Sequence, residues 1–280
     1  MRRVFLFGLL AALCLASAND PHRIVSLSPN MTEILYGIGA FDRVAGVSDY
    51  CTYPPEVSKL PSVGGWRNPS LEKLAALRPD LVILDEGQAT FIKDSIQQLG
   101  LPIVVTADRT VADVLAAMLT LGRVTGHQAQ AERLAASTRE NLAQISRKTF
   151  ALPKLRVVVI VDRTPGTLRD LYTATDGSFY AELVTVAGGA IAIQPARTGY
   201  AKLSKEDLMA ADPDVILDFT HGAKGRLTGD PLEAWHDLPE LKAVRNRRVY
   251  GVNEDFVPHA SQRIVDTARL FAKLIHPEVR

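Results

Sequence analysis

The chain has few cysteines, few aromatic residues and almost no net charge. Its 280 residues include two cysteines, which are too few for a disulfide scaffold. Lys and Arg total 32 against 31 Asp and Glu, a balance that argues against a nucleic-acid-binding protein, since such proteins normally show a basic excess. After the first eighteen residues, no apolar run approaches the roughly 20 residues that a membrane-spanning helix needs. We therefore expect no transmembrane segment in that part.

The sequence also lacks the common catalytic and nucleotide-binding motifs. It contains no G-x-S-x-G elbow, no Walker A loop and no G-x-G-x-x-G after a strand pattern. The six histidines form no H-E-x-x-H or H-x-H pair, and Cys51 has no Cys or His at zinc-site spacing. Adjacent carboxylates at 85–86 and 254–255 could serve acid–base chemistry, but adjacency is a weak signal. We therefore expect a binding protein and not an enzyme.

The first eighteen residues have the pattern of a secretory signal peptide. An Arg-Arg pair precedes the apolar run 4–15, and the small residues 16–18 suit signal peptidase. Cys14 would suggest a lipoprotein anchor, but Leu13 precedes it where a small residue would be expected. We predict a signal peptide over 1–18 that is cleaved after Ala18, which leaves a soluble protein exported to the periplasm.

The remaining sequence alternates strand and helix patterns. A capping box is predicted where Asn30 is followed by Glu33, at the start of a helix that ends near Gly37 or Gly39. Further helices are predicted over 71–77 and 91–99. Strands are predicted at 22–27, 44–47, 81–84 and 103–105. Such alternation favours a mostly parallel sheet covered by helices.

The middle of the chain is helical in pattern. An amphipathic helix is predicted over 111–124, and residues 128–148 contain no Gly or Pro and many good helix formers. The second segment would be about 30 Å long. Because strand patterns resume at 156–161, we predict two Rossmann-like α/β lobes joined by a single long rigid helix, with the ligand cleft between the lobes. The predicted boundaries are 19–125 for the N-terminal lobe, 126–150 for the connecting helix and 151–280 for the C-terminal lobe.

The two predicted lobes share a repeated segment. S-L-E-K-L-A-A-L-R-P-D at 70–80 is matched without a gap by S-K-E-D-L-M-A-A-D-P-D at 204–214, and an apolar strand pattern follows each copy. R-V-A-G-V at 43–47 is echoed by R-V-Y-G-V at 248–252. The repetition indicates a pair of related lobes that face each other.

The loops at the predicted strand ends are rich in aromatic residues, although aromatics make up only 6% of the chain. Ligands of open α/β sheets bind outside the carboxyl ends of the strands. An aromatic face with a polar tip suits a large, flat, partly polar ligand. Each ring alone could equally anchor its loop, so the signal is their coincidence at strand ends. These aromatic residues are Tyr50, Tyr53, Trp66, Tyr172, Tyr200 and Phe256.

Several motifs resemble the periplasmic cobalamin-binding proteins of ABC importers. They are S-P-N-M-T-E at 28–33, G-V-S-D-Y-C-T-Y-P-P at 46–55, G-G-W at 64–66 and the L-E and P-D of 71–80, and the likeness covers essentially all of 22–276. The wider helical-hinge class also serves haem and ferric siderophores. The resemblance implies two lobes bridged by one helix, in a monomer that delivers cobalamin or a related corrinoid to an inner-membrane permease–ATPase complex. It implies no cofactor of the protein's own.

The resemblance also implies which residues contact the corrinoid. Tyr172 stands where the family has Phe, and Tyr200 and Phe256 stand where it has Trp, so these positions stay aromatic. Two other departures matter more: Asp85 stands where the best-known members have Trp, and His259 where they have Arg. The first change removes a stacking surface, and the second replaces a permanent cation with a titratable imidazole. These changes leave room for a corrinoid precursor or another large chelate. The implied contacts are Pro29, Tyr50, Trp66, Asp85, Tyr172, Tyr200, Asp255, Phe256 and His259.

Glu72 and Glu206 occupy matching positions in the repeat, each two residues after a serine at a helix start. In the family the matching glutamates contact arginines of the permease. A helix dipole alone would also favour an acid there, by about 0.3–1 kcal/mol. The dipole explains the placement but not the duplication, so we predict permease docking by both. Trp235 is expected to be a structural anchor.

Other functions are compatible with the same sequence. Within the class, the protein could bind haem or a ferric siderophore. Against haem, no clear Tyr/His axial pair stands out, although Tyr50 and His259 could be proposed; against a siderophore, few arginines fall in the predicted cleft. An exported metal-dependent enzyme could use Asp85, Glu86, Asp255 and His259. A sensor module is a further alternative, but no signalling segment is attached.

Overall fold

A computed structural model of the protein describes residues 20–194, 198–219, 230 and 232–278. The predicted signal peptide at 1–18 lies outside these residues. The described part forms two β-sheets, each covered by helices. No helix within it is both long enough and apolar enough to cross a bilayer.

The first sheet is wholly parallel, with strand order β2-β1-β3-β4. Its strands match the predicted apolar runs closely, because each is a short, mostly apolar run bounded by turn residues. Two 3-10 turns, Phe41–Arg43 and Pro55–Lys59, flank β2. The elements are β1 Ile24–Ser26, α1 Pro29–Gly37, β2 Val44–Val47, α2 Leu71–Ala76, β3 Leu81–Asp85, α3 Glu86–Gln98, β4 Ile103–Thr106 and α4 Val111–Val124.

Helix α5, Gln128–Thr149, has 22 residues and agrees with the long helix that the sequence predicts. It packs against α4 before it and against α6 and α9 after it. Its apolar stripe includes Ala135, Leu142 and Ile145, all buried. One continuous core cluster therefore runs from the first sheet through these helices to the second sheet.

The second sheet is mixed, with strand order β10-β9-β5-β6-β8. Its central strand β5, a run of valines and isoleucine, is buried over Val157–Ile160. Strand β9 is parallel to β5, whereas β6 and β8 are antiparallel to their neighbours. The elements are β5 Leu155–Asp162, β6 Leu171–Ala174, α6 Phe179–Val186, β7 Gly189–Ile191, β8 Tyr200–Leu203, α7 Lys205–Ala211, β9 Val215–Phe219, α8 Lys242–Arg245, β10 Val249–Val252 and α9 Ile264–Ile275.

The repeat at 70–80 and 204–214 has a structural basis in both sheets. Asp80 accepts hydrogen bonds from the backbone N–H groups of His22 and Arg23, at 2.8 and 2.9 Å, where β1 begins. Asp214 accepts one from the backbone N–H of Arg156, at 2.8 Å, where β5 begins. Each Pro-Asp carboxylate thus ties the start of its own strand to the start of the neighbouring parallel strand.

The backbone before each Pro-Asp pair is also repeated. Arg78 and Asp212 have φ of 44° and 37°, a left-handed conformation that is uncommon outside glycine. Both residues end a short helix, and the residue before proline is disfavoured in the right-handed helical region. The left-handed turn therefore redirects the chain into the next strand at the same place in both copies.

The shorter echo, 43–47 against 248–252, does not occupy equivalent places. Strand β2 pairs with β1, whereas β10 pairs with β9, which is the counterpart of β3. What the copies share is the arginine: Arg43 donates to the carbonyl of Thr125 at 2.8 Å and Arg248 to that of Ile275 at 2.6 Å. Both arginines satisfy carbonyls at helix C-termini, so this likeness reflects a local requirement.

Trp235 is buried, and its indole Nε1 donates to Asp218 Oδ2 at 2.8 Å. Asp218 also forms a buried ion pair with Arg163, whose Nη2 lies 2.8 Å from Oδ2. Trp235 therefore anchors the 3-10 turn Glu233–Asp237 to the end of β9, as the sequence predicts.

Candidate ligand-binding cleft

A cavity of about 450 Å³ lies at the carboxyl ends of the strands of the first sheet. Residues 28–30 reach it after β1, Asp85 ends β3, and Asp108 follows β4. The opposite wall comes from the segment after β10. The lining residues are Ser28, Pro29, Asn30, Tyr50, Trp66, Arg67, Asp85, Asp108, Pro258 and His259.

A larger hollow, of about 560 Å³, lies between α5 and α9. Its walls are helix surfaces that include Gln144, Lys148 and Lys273. None of the sequence-predicted ligand contacts reaches it, and no strand ends there. We therefore take the cavity at the strand ends as the candidate site, and we call it the cleft.

Asp85 organises one wall of the cleft. Its carboxylate is buried and accepts hydrogen bonds from Ser28 Oγ at 2.7 Å, from the backbone N–H of Gln88 at 2.8 Å and from Trp66 Nε1 at 3.2 Å. The Gln88 bond makes Asp85 the N-cap of α3, so this helix begins at Glu86, five residues before the predicted start. Asp85 thus fixes the indole edge of Trp66.

The Trp66 ring also needs space on α3. A Cβ atom at Gly87 would lie 3.2 Å from the ring atoms of Trp66, so glycine allows the close approach. The Trp66 and Phe91 rings meet edge to face, with centroids 6.3 Å apart. Trp66 is therefore held by packing on one side and by Asp85 on the other, with its exposed part toward the cleft.

Asp108 is a site residue that the sequence reasoning missed. It accepts a hydrogen bond from Asn30 Nδ2 at 3.0 Å. Burial, together with the negative charge of nearby Asp85, raises the pKa of Asp108 from 3.8 to about 7. The available signal was its position, because it is a carboxylate three residues after the predicted strand 103–105.

Glu33 connects α1 to the segment after β10. His259 Nδ1 donates to Glu33 Oε1 at 2.8 Å, Arg263 Nη1 donates to the same oxygen at 3.1 Å, and Ser261 Oγ donates to Oε2. The predicted capping box at Asn30 and Glu33 is therefore wrong. Helix α1 begins at Pro29, which suits the first helical position, and the buried Glu33 side chain turns to partners more than 220 residues away.

Arg263 contacts two of the residues that the sequence predicts as ligand contacts, Asp255 and Phe256. Its Nη2 donates to Asp255 Oδ1 at 3.0 Å. Its guanidinium lies 5.2 Å from the ring centroid of Phe256 and 4.4 Å from that of Tyr53. Asp255 and Phe256 therefore lie outside the cleft lining.

The aromatic side chains divide into two groups. Tyr50, with 61% of its surface exposed, lines the cleft together with Trp66. Tyr172 and Tyr200 are 43% and 44% exposed on β6 and β8, outside the lining. Burial of the hydroxyl and the charge of Asp108 raise the pKa of Tyr200. Of the nine predicted contacts, the structure brings together Pro29, Tyr50, Trp66, Asp85 and His259.

The four residues proposed for a rival enzyme are not assembled into a metal centre. Asp255 is held by Arg263, whereas Asp85 is held by three neutral donors. Within the described ranges, no group of three His, Cys, Asp or Glu side chains is arranged to hold a metal ion.

A model of the family described as "Periplasmic binding protein" matches residues 24–256. The chain belongs to the periplasmic binding protein family. A Bacillus subtilis relative, an uncharacterised ABC transporter substrate-binding lipoprotein, is 31% identical over 266 residues, which are 92% of this chain and 81% of the relative. The vitamin B12-binding protein of Pectobacterium atrosepticum is 27% identical over 271 residues, or 95% and 91% of the two chains.

The fold of this periplasmic binding protein matches solved structures of its family. The apo form of a periplasmic haem-binding protein from Roseiflexus sp. RS-1 superposes with a TM-score of 0.79 at 26% identity, covering 92% of this chain and 99% of that one. The predicted class of two α/β lobes is therefore confirmed. The relatives named for a ligand include binders of vitamin B12 and of haem, both large metal-containing macrocycles.

Two exposed glutamates mark matching helices of this periplasmic binding protein. Glu72 is in the first turn of α2 and Glu206 in the first turn of α7. The N-caps are serines: Ser70 Oγ accepts from the backbone N–H of Lys73 at 3.2 Å and Ser204 Oγ from that of Asp207 at 3.0 Å. Neither glutamate side chain is hydrogen-bonded within the described part of the chain.

Proposed function

We propose that the protein is an exported substrate-binding protein that captures cobalamin or a related corrinoid and presents it to an inner-membrane ABC importer. The observation that carries this proposal is the pair of aromatic side chains, Tyr50 and Trp66, in a cavity at the strand ends. Trp66 is pre-positioned by Asp85, so its ring loses little conformational freedom when a flat macrocycle binds. The vitamin B12-binding relatives support the same ligand.

The proposed mechanism is clamping without chemistry. Residues 19–125 and 151–280 would act as the two lobes, with residues 126–150 as the connecting helix. Because α5 packs along its length against α4, α6 and α9, it resists bending, and we expect closure by a few degrees only. Tyr172, Tyr200, Asp255 and Phe256 would then complete the contacts from the second lobe.

Haem is the second candidate ligand, and one observation favours it. The phenol of Tyr50 and the imidazole of His259 line the same cleft and are both ligands that iron accepts. Against haem, Asp85 and Asp108 would repel its propionate groups, whereas the amide groups of a corrinoid can donate to these carboxylates.

Calorimetry and visible spectra with three chelates separate the candidates. The purified protein would be titrated with cyanocobalamin, haemin and a ferric siderophore. We expect saturable binding of cyanocobalamin in a 1:1 ratio and weaker binding of the other two. Tight binding of haemin with no heat from cyanocobalamin would reject the corrinoid in favour of haem.

We further propose that Glu72 and Glu206 dock the protein on its permease, one from each lobe. Both carboxylates are exposed and free of partners within the described residues, so they are available to cations of another protein. Glu72→Ala with Glu206→Ala should abolish the stimulation of importer ATPase activity in reconstituted vesicles while leaving cobalamin affinity unchanged. Glu56→Ala with Glu240→Ala, also exposed and one in each half of the chain, is the matched control. Full transport with the Glu72→Ala/Glu206→Ala protein would reject the docking role.

A further inference from the structure

We propose that His259 is an axial ligand to the metal of the bound chelate, through its Nε2 atom, and that Glu33 positions it. This inference deepens the proposed function and rests on it, because the cargo must be a metal chelate with an exchangeable axial position. The juxtaposition behind it is a cleft-lining imidazole whose Nδ1 lies 2.8 Å from a buried carboxylate.

The Glu33 contact fixes the tautomer of His259. An ionised carboxylate can only accept hydrogen bonds, so Nδ1 must carry the proton. In the neutral ring the lone pair is then on Nε2, the other ring nitrogen. Nε2 has no hydrogen-bond partner among the described residues, and the ring lines the cleft with 14% of the side chain exposed. This is the condition in which an imidazole nitrogen can bind a metal.

The support behind His259 is of the kind that metal-ligating histidines have. Such histidines almost always donate their other ring N–H to a carboxylate or carbonyl, which sets the orientation of the ring. Glu33 is itself held by Arg263 and Ser261, so the carboxylate cannot rotate freely. Arg263 places a positive charge beside Glu33, which it shares with Asp255, and a neutral imidazole can still donate its Nδ1 proton to the Glu33 carboxylate.

The step is a ligand exchange without electron transfer. The Nε2 lone pair forms a bond to cobalt(III) of aquocobalamin, or to iron(III) of haemin, and a bound water leaves. The metal keeps its oxidation state, and no proton is released from the neutral ring. Cyanide is a far stronger ligand than water, so cyanocobalamin would occupy the cleft without this exchange.

The test compares two cobalamins that differ only in the upper ligand. The protein would be titrated with aquocobalamin and with cyanocobalamin while visible spectra and calorimetric heats are recorded. We expect the aquocobalamin bands to move to the positions of its free imidazole complex, with affinity at least about tenfold higher than for cyanocobalamin, a ratio that corresponds to one added bond of modest strength. The cyanocobalamin spectrum should stay unchanged.

Variants assign the spectral shift to the residue. His259→Gln should abolish the shift and bring the affinity ratio to about one. Glu33→Gln should weaken the aquocobalamin-specific part of binding by about 10–100-fold, the effect expected of a lost supporting carboxylate. His236→Gln, which changes an exposed histidine outside the cleft, is the matched control, and circular dichroism checks that each variant folds.

The possible outcomes distinguish a failure of the axial-ligand role of His259 from a failure of the proposed corrinoid-binding function. Equal binding of both cobalamins, with an aquocobalamin spectrum identical in the parent and His259→Gln, would overturn the axial ligand and leave the corrinoid function in place. A His259-dependent shift of the haemin Soret band without cobalamin binding would support the axial ligand and overturn the corrinoid. Binding of none of the chelates would overturn both.

Discussion

Replacing Asp108 by asparagine should stabilise the protein at neutral and alkaline pH. Asp108 lies in the cleft, where burial and the charge of Asp85 raise its pKa to about 7. Asparagine is nearly isosteric and keeps an oxygen that can accept the bond from Asn30 Nδ2. The substitution therefore removes a costly charge and leaves the packing in place.

The magnitude follows from the displaced pKa of Asp108. Below pH 4 the carboxyl is protonated in both the folded and unfolded chains, so the parent and Asp108→Asn should be equally stable. Between pH 4 and 7 the unfolded chain releases the proton while the folded protein keeps it, so the parent loses stability as pH rises. A pKa of about 7 against 3.8 gives an upper limit of roughly 4 kcal/mol above pH 7. Water in the cleft reduces the penalty, and we expect about 1–3 kcal/mol.

Urea unfolding at pH 4, 5.5, 7 and 8.5, followed by circular dichroism, measures this gain. The control is Asp170→Asn, at an exposed carboxylate with φ of 52° whose pKa is lowered mainly by its hydrogen bond to Lys202. It should show no gain at high pH. The reasoning is refuted if Asp108→Asn is stabilising by the same amount at pH 4 and 8.5, or if it is not stabilising at pH 8.5.

Two further predictions concern the cleft and the second sheet. Tyr50→Ala should weaken cobalamin binding about 10–100-fold by calorimetry and leave the urea midpoint unchanged, because the ring is 61% exposed, whereas Tyr50→Phe should keep most of the affinity. Equal losses in both variants would contradict a stacking role. Asp218→Asn should lower the free energy of unfolding by about 3–5 kcal/mol, because it removes the carboxylate charge that pairs with the buried Arg163 guanidinium. A loss below about 1 kcal/mol in urea unfolding, no more than one ordinary hydrogen bond, would show that the ion pair contributes little.

Local sequence signals were sufficient to predict most of the secondary structure. Strand β2 and helix α4 have the predicted bounds, because the periodicity of apolar residues is a local signal that acts over a few residues. The start of α3 was missed for an equally local reason. Asp85 belongs to strand β3 and Gly87 is a poor helix former, so neither residue indicates a helix start in the sequence. The structure shows that the Asp85 carboxylate accepts a hydrogen bond from the backbone N–H of Gln88 and so caps α3.

The site was less predictable because its chemistry is made by distant residues. Glu33 has the spacing of a capping box, but its partners His259, Ser261 and Arg263 are brought to it by the fold. The raised pKa of Asp108 comes from its burial and from the negative charge of Asp85, and a linear sequence pattern shows neither effect. Sequence alone thus predicted that the cleft would lie at the strand ends, but only two of its six aromatic candidates, Tyr50 and Trp66, line the cavity, and its electrostatics were not predicted.

The bond from Asp80 to the start of β1 determines where the chain enters the molecule. It holds residues 22 and 23 at the amino ends of the first sheet, whereas the cleft opens at the carboxyl ends. A lipid anchor attached before residue 22 would therefore be linked to the side of the lobe opposite the cleft. A lipid-anchored molecule, such as the Bacillus relative, and a freely diffusing one could therefore load cargo equally well with the same fold.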